Sequence, residues 1–205
     1  PDPLKAPDPL KAPDPLKALA ADRAAAKSAG DANAELGWVA TADADGMPSV
    51  RALVLRQLGD AWALFINGSA PKWRDLQARP YCQIAIWLPS SQRQWRLRAQ
   101  VRPLPRTLVE AHWPRRPRIG QVMDHAYSER FPQSSVLADP TALDAALARI
   151  DSALGETPTP PDAALAVGLH FDSVECLQIT QPPTPHQRWL WRWRGEAWER
   201  TALVP

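Results

Sequence analysis

Alternation of apolar and polar residues along the chain predicts a mainly β protein. The strictest alternation covers Arg93–Arg102, where polar and mostly cationic residues separate Trp95, Leu97, Ala99 and Val101. A period of two residues is typical of a strand with one packed face and one exposed face. We therefore predict a strand here whose outer face carries positive charge.

A second signal is an apolar run divided by a two-residue turn. Val, Leu and aromatic residues fill Val50–Leu58 and Trp62–Ile66, and Gly59-Asp60 lies between these segments. This pattern predicts a β-hairpin. A polar loop then leads to a predicted helix over Lys72–Ala78. Tyr81–Leu88 is largely apolar, so we expect a strand that is buried on both faces. The remaining predicted strands are Leu36–Thr41, Leu165–Phe171, Val174–Thr180, Trp189–Arg194 and Ala197–Ala202.

Helical segments are fewer and shorter than the strands. Asp14 can cap and Pro15 can begin a helix that the Ala-rich sequence favours as far as about Ser28. Residues 119–138 show no clear period and are predicted to form a long loop with a short helical piece. The other predicted helices are Thr107–Trp113 and Thr141–Leu154. Seven or eight strands, mostly in hairpins, with three or four short helices indicate a mainly β fold with flanking helices: an antiparallel barrel.

The chain begins with the segment P-D-P-L-K-A repeated three times over 18 residues. Proline in every unit opposes a continuous helix, and six residues are too few for a helical repeat unit. We therefore expect residues 1–12 to be a disordered extension and residues 13–205 to form one domain.

Composition narrows the class of protein only a little. A net charge of +2 argues weakly for a nucleic-acid partner, which we consider unlikely. Cys82 and Cys176 each lie in an apolar run, which suggests buried thiols in a reducing compartment. No apolar run approaches the roughly 20 residues that cross a bilayer, and the N-terminus shows no signal-peptide pattern. We expect a cytoplasmic protein with no membrane partner.

Candidate chemistry centres on separated cations rather than on a metal or nucleophile motif. Arg51 lies near one end of the predicted hairpin, and Lys72 lies at a helix start beyond the other end, where free N–H groups suit phosphate. The four histidines show no metal-ligand spacing, so we predict no metal site. Cations accompanied by aromatics fit either a phosphorylated small molecule with a planar ring or single-stranded nucleic acid. Each cation alone also fits an ordinary residue on the surface of a basic barrel.

Taken in chain order, these segments form a characteristic series. They are R-A-L-V-L-R, F-I-N-G-S-A-P-K, R-Q-W-R-L-R-A-Q-V-R-P-L, H-W-P-R-R-P-R-I-G-Q-V, P-H-Q-R-W and a terminal W-E-R-T-A-L-V-P. The ordered series resembles the pyridoxamine 5′-phosphate oxidase family over residues 13–205. The resemblance implies a homodimeric, FMN-binding split β-barrel with two cofactor clefts at the dimer interface.

The resemblance also implies which residues bind the cofactor. Arg51 and Lys72 match the positions that hold the FMN phosphate, and the strand from Ala52 onward would lie along the cofactor. Some of the matching residues would come from the partner subunit. The remaining implied cofactor-binding residues are Leu53, Val54, Phe65, Ile66, Gln94, Gln133, Ser134 and Arg188.

The implied substrate site departs from the family pattern. Positions that typically hold Lys, Tyr, Arg and Ser hold Arg56, His112, Arg116 and Gly120 here. The catalytic-side pattern R-x-H-x-R becomes Thr184, His186 and Arg188, so its first Arg is lost. The cofactor motif S-R-K becomes A-P-K. Arg116 and His186 are the implied catalytic residues, and His186 would also contact substrate. Cofactor binding is therefore better preserved than binding of the vitamin substrate.

The resulting hypothesis is an FMN-dependent oxidoreductase that transfers a hydride from a small, possibly phosphorylated substrate to FMN, with reoxidation by O₂. The alternatives are a flavin reductase or FMN-binding protein of the same fold with a different substrate, and a non-enzymatic barrel that binds a ligand or single-stranded nucleic acid. Strict alternation places Arg51 and Arg56 on opposite strand faces. Both can serve one site only if the strand twists or bulges between them, or if the pocket wraps around the end of the strand.

Overall fold

A computed structural model describes residues 14–205, which form nine strands and five α-helices. The predicted disordered extension over residues 1–12 lies outside the described residues. The strands are β1 (Leu36–Ala42), β2 (Pro48–Val54), β3 (Arg56–Leu58), β4 (Ala61–Asn67), β5 (Tyr81–Leu88), β6 (Arg93–Pro103), β7 (Ala164–Gln178), β8 (Gln187–Trp193) and β9 (Trp198–Leu203). The helices are α1 (Pro15–Ser28), α2 (Pro71–Ala78), α3 (Arg106–His112), α4 (Arg118–Glu129) and α5 (Pro140–Ala153), and a 3₁₀ turn (Trp113–Arg115) follows α3. None of the helices formed by residues 14–205 is both long and apolar enough to cross a membrane.

One curled antiparallel sheet contains all nine strands. Its order is β2-β1-β5-β6-β7-β4-β3, and β8 and β9 extend from β7. The 15-residue β7 makes this branching possible, since it pairs along one edge with β6. Along its other edge it pairs with β4 over its first part and with β8 over its last part. The architecture is a split barrel, so the predicted fold class is confirmed.

The crossing from β2 to β3 takes place at Leu55. Its side chain is 2% exposed, and its N–H donates to Glu35 O at 2.9 Å. From α1, the Arg23 guanidinium donates to Leu55 O at 2.9 Å and to Ala34 O at 2.7 Å. The predicted strand Val50–Leu58 is therefore wrong as one element, because tertiary hydrogen bonds interrupt it at Leu55.

The barrel interior is built around tryptophans and one buried carboxylate. Trp95 and Trp191 are fully buried, and their stacked rings lie 6.3 Å apart. Asp22 of α1 is 7% exposed and accepts a hydrogen bond from Trp95 Nε1 at 2.9 Å. Its other oxygen accepts from Arg93 Nη1 at 2.5 Å. The helix is therefore attached to the sheet by a satisfied ion pair, as a buried charge requires.

The period-two prediction for β6 is confirmed, but three other local predictions are wrong. The stretch 119–138, predicted as a long loop with a short helical piece, instead holds all but the first residue of the 12-residue helix α4. Its buried face includes Gln121 and Asp124 beside Val122 and Ala126, so polar residues hide the apolar period. Strand β5 alternates in burial instead of being buried on both faces, and Tyr81 is 52% exposed.

The third correction concerns β7, which sequence patterning divides into two strands. The polar pair Asp172-Ser173 marks that division. In the structure the register shifts there, with Arg98 opposite Ser173 and Ala99 opposite Phe171. Asp172 is left out of the pairing and accepts a hydrogen bond from Arg98 Nε at 2.7 Å. A bulge of this kind lets one strand continue past a polar interruption.

The Arg23 contacts generate a stability prediction. We expect Arg23→Met to lower the free energy of unfolding by about 2 kcal/mol or more, because two buried carbonyl oxygens lose their donor. Urea denaturation followed by tryptophan fluorescence measures the change.

Lys27→Met on the same helix is the matched control. Lys27 and its partner Glu35 are largely exposed, so this variant should lose no more than about 1 kcal/mol. Equal losses in the two variants would contradict the role given to Arg23.

Candidate functional site

A cleft of about 660 Å³ opens beside the β2–β3 crossing. Strands β2, β3 and β4 contribute Ala52–Val54, Arg56–Leu58 and Phe65–Asn67 to its lining. Helices α3 and α4 and the 3₁₀ turn contribute further residues. Residues on both sides of Leu55, namely Ala52–Val54 of β2 and Arg56 of β3, reach the same cleft. The break interrupts the alternation between Arg51 and Arg56, and of these two residues Arg56 lines the cleft while Arg51 lies next to it.

Most residues that the resemblance implicates are brought together here. Those lining the cleft are Ala52, Leu53, Val54, Arg56, Phe65, Ile66, Lys72, His112, Arg116, Gly120 and Gln133. These positions come from six separate parts of the chain. Their convergence is a property of the fold, while their roles in binding or catalysis stay predictions.

Lys72 lies in the first turn of α2 and is only 8% exposed. Its Nζ donates to Gln133 Oε1 at 2.9 Å, which joins α2 to the segment after α4. Burial, together with the nearby positive charge of Arg51, lowers the pKa of Lys72 below its ordinary value. A buried ammonium at a helix N-terminus favours an anionic ligand, because the negative charge of the ligand would compensate for the hydration that the ammonium loses on burial.

Arg51 lies next to the cleft rather than on its lining. Its guanidinium donates to Thr41 Oγ1 and Ser49 Oγ, each at 2.7 Å. Thr41 in turn donates to Asp75 Oδ2 of α2 at 2.6 Å. Burial lowers the pKa of Arg51, and the carboxylate of Asp75 opposes that shift. These contacts hold a second cation close to Lys72 and fix it to the same helix.

A buried polar cluster lies at the α4 side of the cleft. Arg116 Nε is 2.8 Å from Asp124 Oδ2, an ion pair without good hydrogen-bond angles. Asn67 Nδ2 donates to Asp124 Oδ1 at 3.2 Å. Burial raises the pKa of Asp124, and the charge of Arg116 and the Asn67 hydrogen bond only partly offset this effect. The cluster places one carboxylate among the cations of the cleft.

Apolar surface and a histidine complete the lining. His112 of α3 packs against Phe65 of β4, with ring centroids 5.6 Å apart. Leu165 and Val109 add aliphatic surface. The cleft therefore combines cationic groups with flat apolar surface, which suits a planar anionic molecule.

Five implicated residues do not line this cleft: Arg51, Gln94, Ser134, His186 and Arg188. Arg188 of β8 donates from Nε to Glu175 Oε1 at 3.0 Å. His186 Nδ1 accepts from the backbone N–H of Thr180 at 3.1 Å. Gln94 lies on β6 between Trp87 of β5 and Leu177 of β7 in the register. One chain alone thus does not gather the full implicated set.

Sequence reasoning assigned no role to five polar residues of the cleft, namely Gln57, Asn67, Arg115, Asp124 and Tyr127. Asp124 and Tyr127 lie in the stretch predicted to be a loop, where no helical period was visible. Asn67 lies in the F-I-N-G-S segment, and its Oδ1 accepts from Ser69 N–H and Ser69 Oγ. Asn side chains often accept a hydrogen bond from the backbone N–H two residues later in a turn. The N-G-S sequence was therefore the signal from which a fixed Asn67 amide could have been predicted. Within residues 14–205, no group of three or more His, Cys, Asp or Glu residues could hold a metal ion.

Comparison with known proteins adds sequence relationships to this geometry. A profile for the family described as Pyridoxamine 5'-phosphate oxidase matches residues 29–152. A pyridoxine/pyridoxamine 5'-phosphate oxidase of Anaeromyxobacter dehalogenans (strain 2CP-C) is 36% identical over 189 residues, covering 89% of this chain and 90% of that protein. A protein of the same name from Ectopseudomonas mendocina (strain ymp) is 33% identical over 172 residues, covering 82% and 76%.

Solved structures show the same fold. PhzG from Burkholderia lata 383, crystallised with tetrahydrophenazine-1-carboxylic acid, superposes with a TM-score of 0.87, 22% identity and coverage of 98% of both chains. A pyridoxamine 5'-phosphate oxidase-related, FMN binding protein from Nostoc punctiforme PCC 73102 gives a TM-score of 0.75 at 16% identity, covering 96% of this chain and 100% of that one. At these identities the likeness concerns the split-barrel architecture.

Proposed function

The chain belongs to the pyridoxamine 5'-phosphate oxidase family, and from this we propose that it is an FMN-dependent oxidoreductase. The observation that carries the proposal is the pairing of Lys72 with Gln133 beside Arg51, at the N-terminus of α2 and in the main cleft. These groups come from distant parts of the chain and form a compact cationic site. The site fits a phosphate, and the adjoining wall fits a flat ring system.

The residues of the cleft fit FMN in two further respects. Strand β2 lies at an end of the sheet order and pairs with β1 along one edge. Its other edge has no strand partner within residues 14–205, so backbone groups at Ala52–Val54 can meet the polar rim of a flavin ring. Phe65 and Ile66 provide apolar surface in the same cleft. We assign Lys72, Arg51 and Gln133 to the phosphate and Ala52–Val54 to the ring.

When bound, FMN would supply the redox chemistry, as a hydride acceptor that O₂ could reoxidise. The chain itself binds and orients the reactants. Arg56, Arg116 and His112 line the cleft, where they can position a small polar or anionic substrate. No strong side-chain base is needed for hydride transfer. The substitutions in this part of the cleft lead us to propose a substrate that differs from the B6 phosphates.

We also propose that the active form is a homodimer with shared sites. Gln94, His186 and Arg188 lie outside the cleft of their own chain, so a second copy is needed if they are to contact the same cofactor. The strand next to the cleft exposes apolar side chains, with Val50 at 65% and Val54 at 40%. An exposed apolar strip beside an incomplete site is typical of a subunit interface.

The phosphate assignment predicts the effect of removing Lys72. We expect Lys72→Ala to weaken FMN binding by about tenfold or more, since a charge-assisted hydrogen bond contributes about 1.5–3 kcal/mol. Titration of the apoprotein with FMN, followed by quenching of flavin fluorescence, gives the dissociation constant. Riboflavin, which lacks the phosphate, should bind much more weakly to the wild-type protein and lose little further affinity in the variant.

Arg74→Ala is the matched control, because Arg74 lies on the same helix with its side chain exposed. It should leave FMN binding within about twofold of wild type, a difference below about 0.5 kcal/mol. Equal affinity of the wild type for FMN and riboflavin would refute the phosphate assignment.

The shared site predicts that sedimentation velocity of the flavin-loaded protein gives twice the 22.7 kDa chain mass. Arg188→Ala should weaken FMN binding although Arg188 lies outside its own chain's cleft, because the partner would lose a contact. Flavin bound tightly to a particle of monomer mass would contradict the arrangement.

For the substrate, we expect poor oxidation of pyridoxamine and pyridoxine 5′-phosphates. His112 and Gly120 replace hydroxyl-bearing residues of the family pattern, and Thr184 replaces an Arg. Three altered polar contacts at about 1 kcal/mol each lower transition-state binding by about a hundredfold or more. Hydrogen-peroxide release measures the rate. A kcat/KM above about 10⁴ M⁻¹s⁻¹, typical of efficient enzymes, would show that the protein is an ordinary vitamin B6 oxidase.

A further inference from the structure

Asp124 is the single carboxylate among the described residues that line the cleft. It is 4% exposed, whereas the cleft also holds the cationic side chains of Arg56, Lys72, Arg115 and Arg116. A buried carboxylate needs a partner, because desolvation of an unpaired charge is costly. The identity of that partner decides which cation remains free for a ligand.

Two contacts direct Asp124 toward Arg116. Its Oδ2 lies 2.8 Å from Arg116 Nε, and its Oδ1 accepts from Asn67 Nδ2 at 3.2 Å. The Asn67 amide is itself fixed, because its Oδ1 accepts from the backbone N–H of Ser69 at 2.9 Å and from Ser69 Oγ at 2.7 Å. The carboxylate is therefore held in place from the β4 side while it pairs with the guanidinium.

Gly120 leaves the space in which this pair forms. A Cβ at position 120 would stand 3.1 Å from Arg116 Nε and 3.3 Å from Arg116 Cγ, closer than side chains normally pack. The Arg116 side chain can thus lie back against the first turn of α4, with Nε toward Asp124. Any larger residue at position 120 would press it away from the helix.

The pair changes what Arg116 offers to a ligand. A guanidinium binds phosphate best through two parallel N–H groups, and Nε takes part in the side-on one of its two paired arrangements. Here Nε lies 2.8 Å from Asp124 Oδ2, an ion pair in which the charges are close although the N–H does not point at that oxygen. A phosphate dianion next to Arg116 would either sit close to a like charge or draw the guanidinium off a buried carboxylate.

Resting on the proposed function of this cleft, we propose that Asp124 competes with the substrate for Arg116 and so sets specificity. The cleft then favours a substrate that places a neutral or singly charged group beside Arg116 over one that places a phosphate dianion there. Asp124 acts through Arg116, as a positioning residue.

The test uses Asp124→Asn in the FMN-loaded protein. The probes are 4-deoxypyridoxine 5′-phosphate and 4-deoxypyridoxine, which share a ring, lack the hydroxyl that would be oxidised, and differ in the phosphate. Titration calorimetry should show the phosphate probe binding about tenfold more tightly to the variant, the gain expected when an arginine is released for a phosphate. The probe without phosphate should change by less than about twofold.

Asp151→Asn is the matched control. Asp151 of α5 pairs with Arg118 Nε of α4 at 2.6 Å. The substitution therefore removes the carboxylate partner of an arginine near Arg116, but Asp151 itself does not line the cleft. It should leave the affinities for both probes unchanged.

A second variant, Gly120→Ala, keeps Asp124 and crowds Arg116 instead. We expect the phosphate probe to bind about threefold more tightly to it, in the same direction as the effect of Asp124→Asn. This variant decides the question if Asp124→Asn does not fold. The inference is overturned if Asp124→Asn increases the affinity for the phosphate probe by less than about fivefold. If Asp124→Asn does not fold, an increase of less than about twofold in Gly120→Ala overturns it instead.

Flavin content separates this inference from the proposed function. Wild-type protein that takes up no FMN contradicts the FMN-dependent activity, and the two probes are then compared on the flavin-free chain. Protein that binds FMN but shows no change in the ratio of the two probe affinities contradicts the role of Asp124 alone.

Discussion

The chain passes from one end of the sheet order to the other through the single residue Leu55, and the barrel depends on that crossing. Strands β2 and β3 are neighbours in sequence but lie at opposite ends of the order in which the strands pair. A sheet can meet that condition only by curling until its ends meet. The backbone of Leu55 is held by Glu35 on one side and by the Arg23 guanidinium of α1 on the other. The first helix thus fixes the point at which the barrel closes.

The candidate site follows from the same crossing. Because the strand ends at Val54 and resumes at Arg56, an exposed strand edge and a cationic side chain face one cleft. Helix α2 then brings Lys72 to this cleft, and the segment after α4 brings Gln133 to Lys72. A cleft built at the seam of a curled sheet can draw on segments that lie far apart in sequence. This explains how a chain with little net charge concentrates cations at one place.

The two ends of the cleft differ in how their charges are balanced. At the α2 end, the buried Lys72 and the partly buried Arg51 are cations whose pKa values are lowered by desolvation, and an anionic group is the natural complement. At the α4 end, Asp124 already provides the counter-charge for Arg116. Positive charge at the α2 end therefore still favours a phosphate, whereas positive charge at the α4 end is already partly neutralised by Asp124. The departures from the family pattern at Gly120 and His112 fall at this second end.

The sequence by itself determined the strands with regular alternation, the hairpin turn at Gly59-Asp60 and the capped helix at Asp14, because these depend on neighbouring residues. Through the ordered motifs it also indicated the family and 11 of the residues that line the cleft. Tertiary structure alone decided the break at Leu55, the continuity of β7 past Asp172 and the helix α4. Each of these has a partner distant in sequence: Arg23 for Leu55, Arg98 for Asp172, and Asn67 for Asp124 on the buried polar face of α4. Asp124 was missed for this reason, since a buried carboxylate is recognisable only when its cation and its burial are both known.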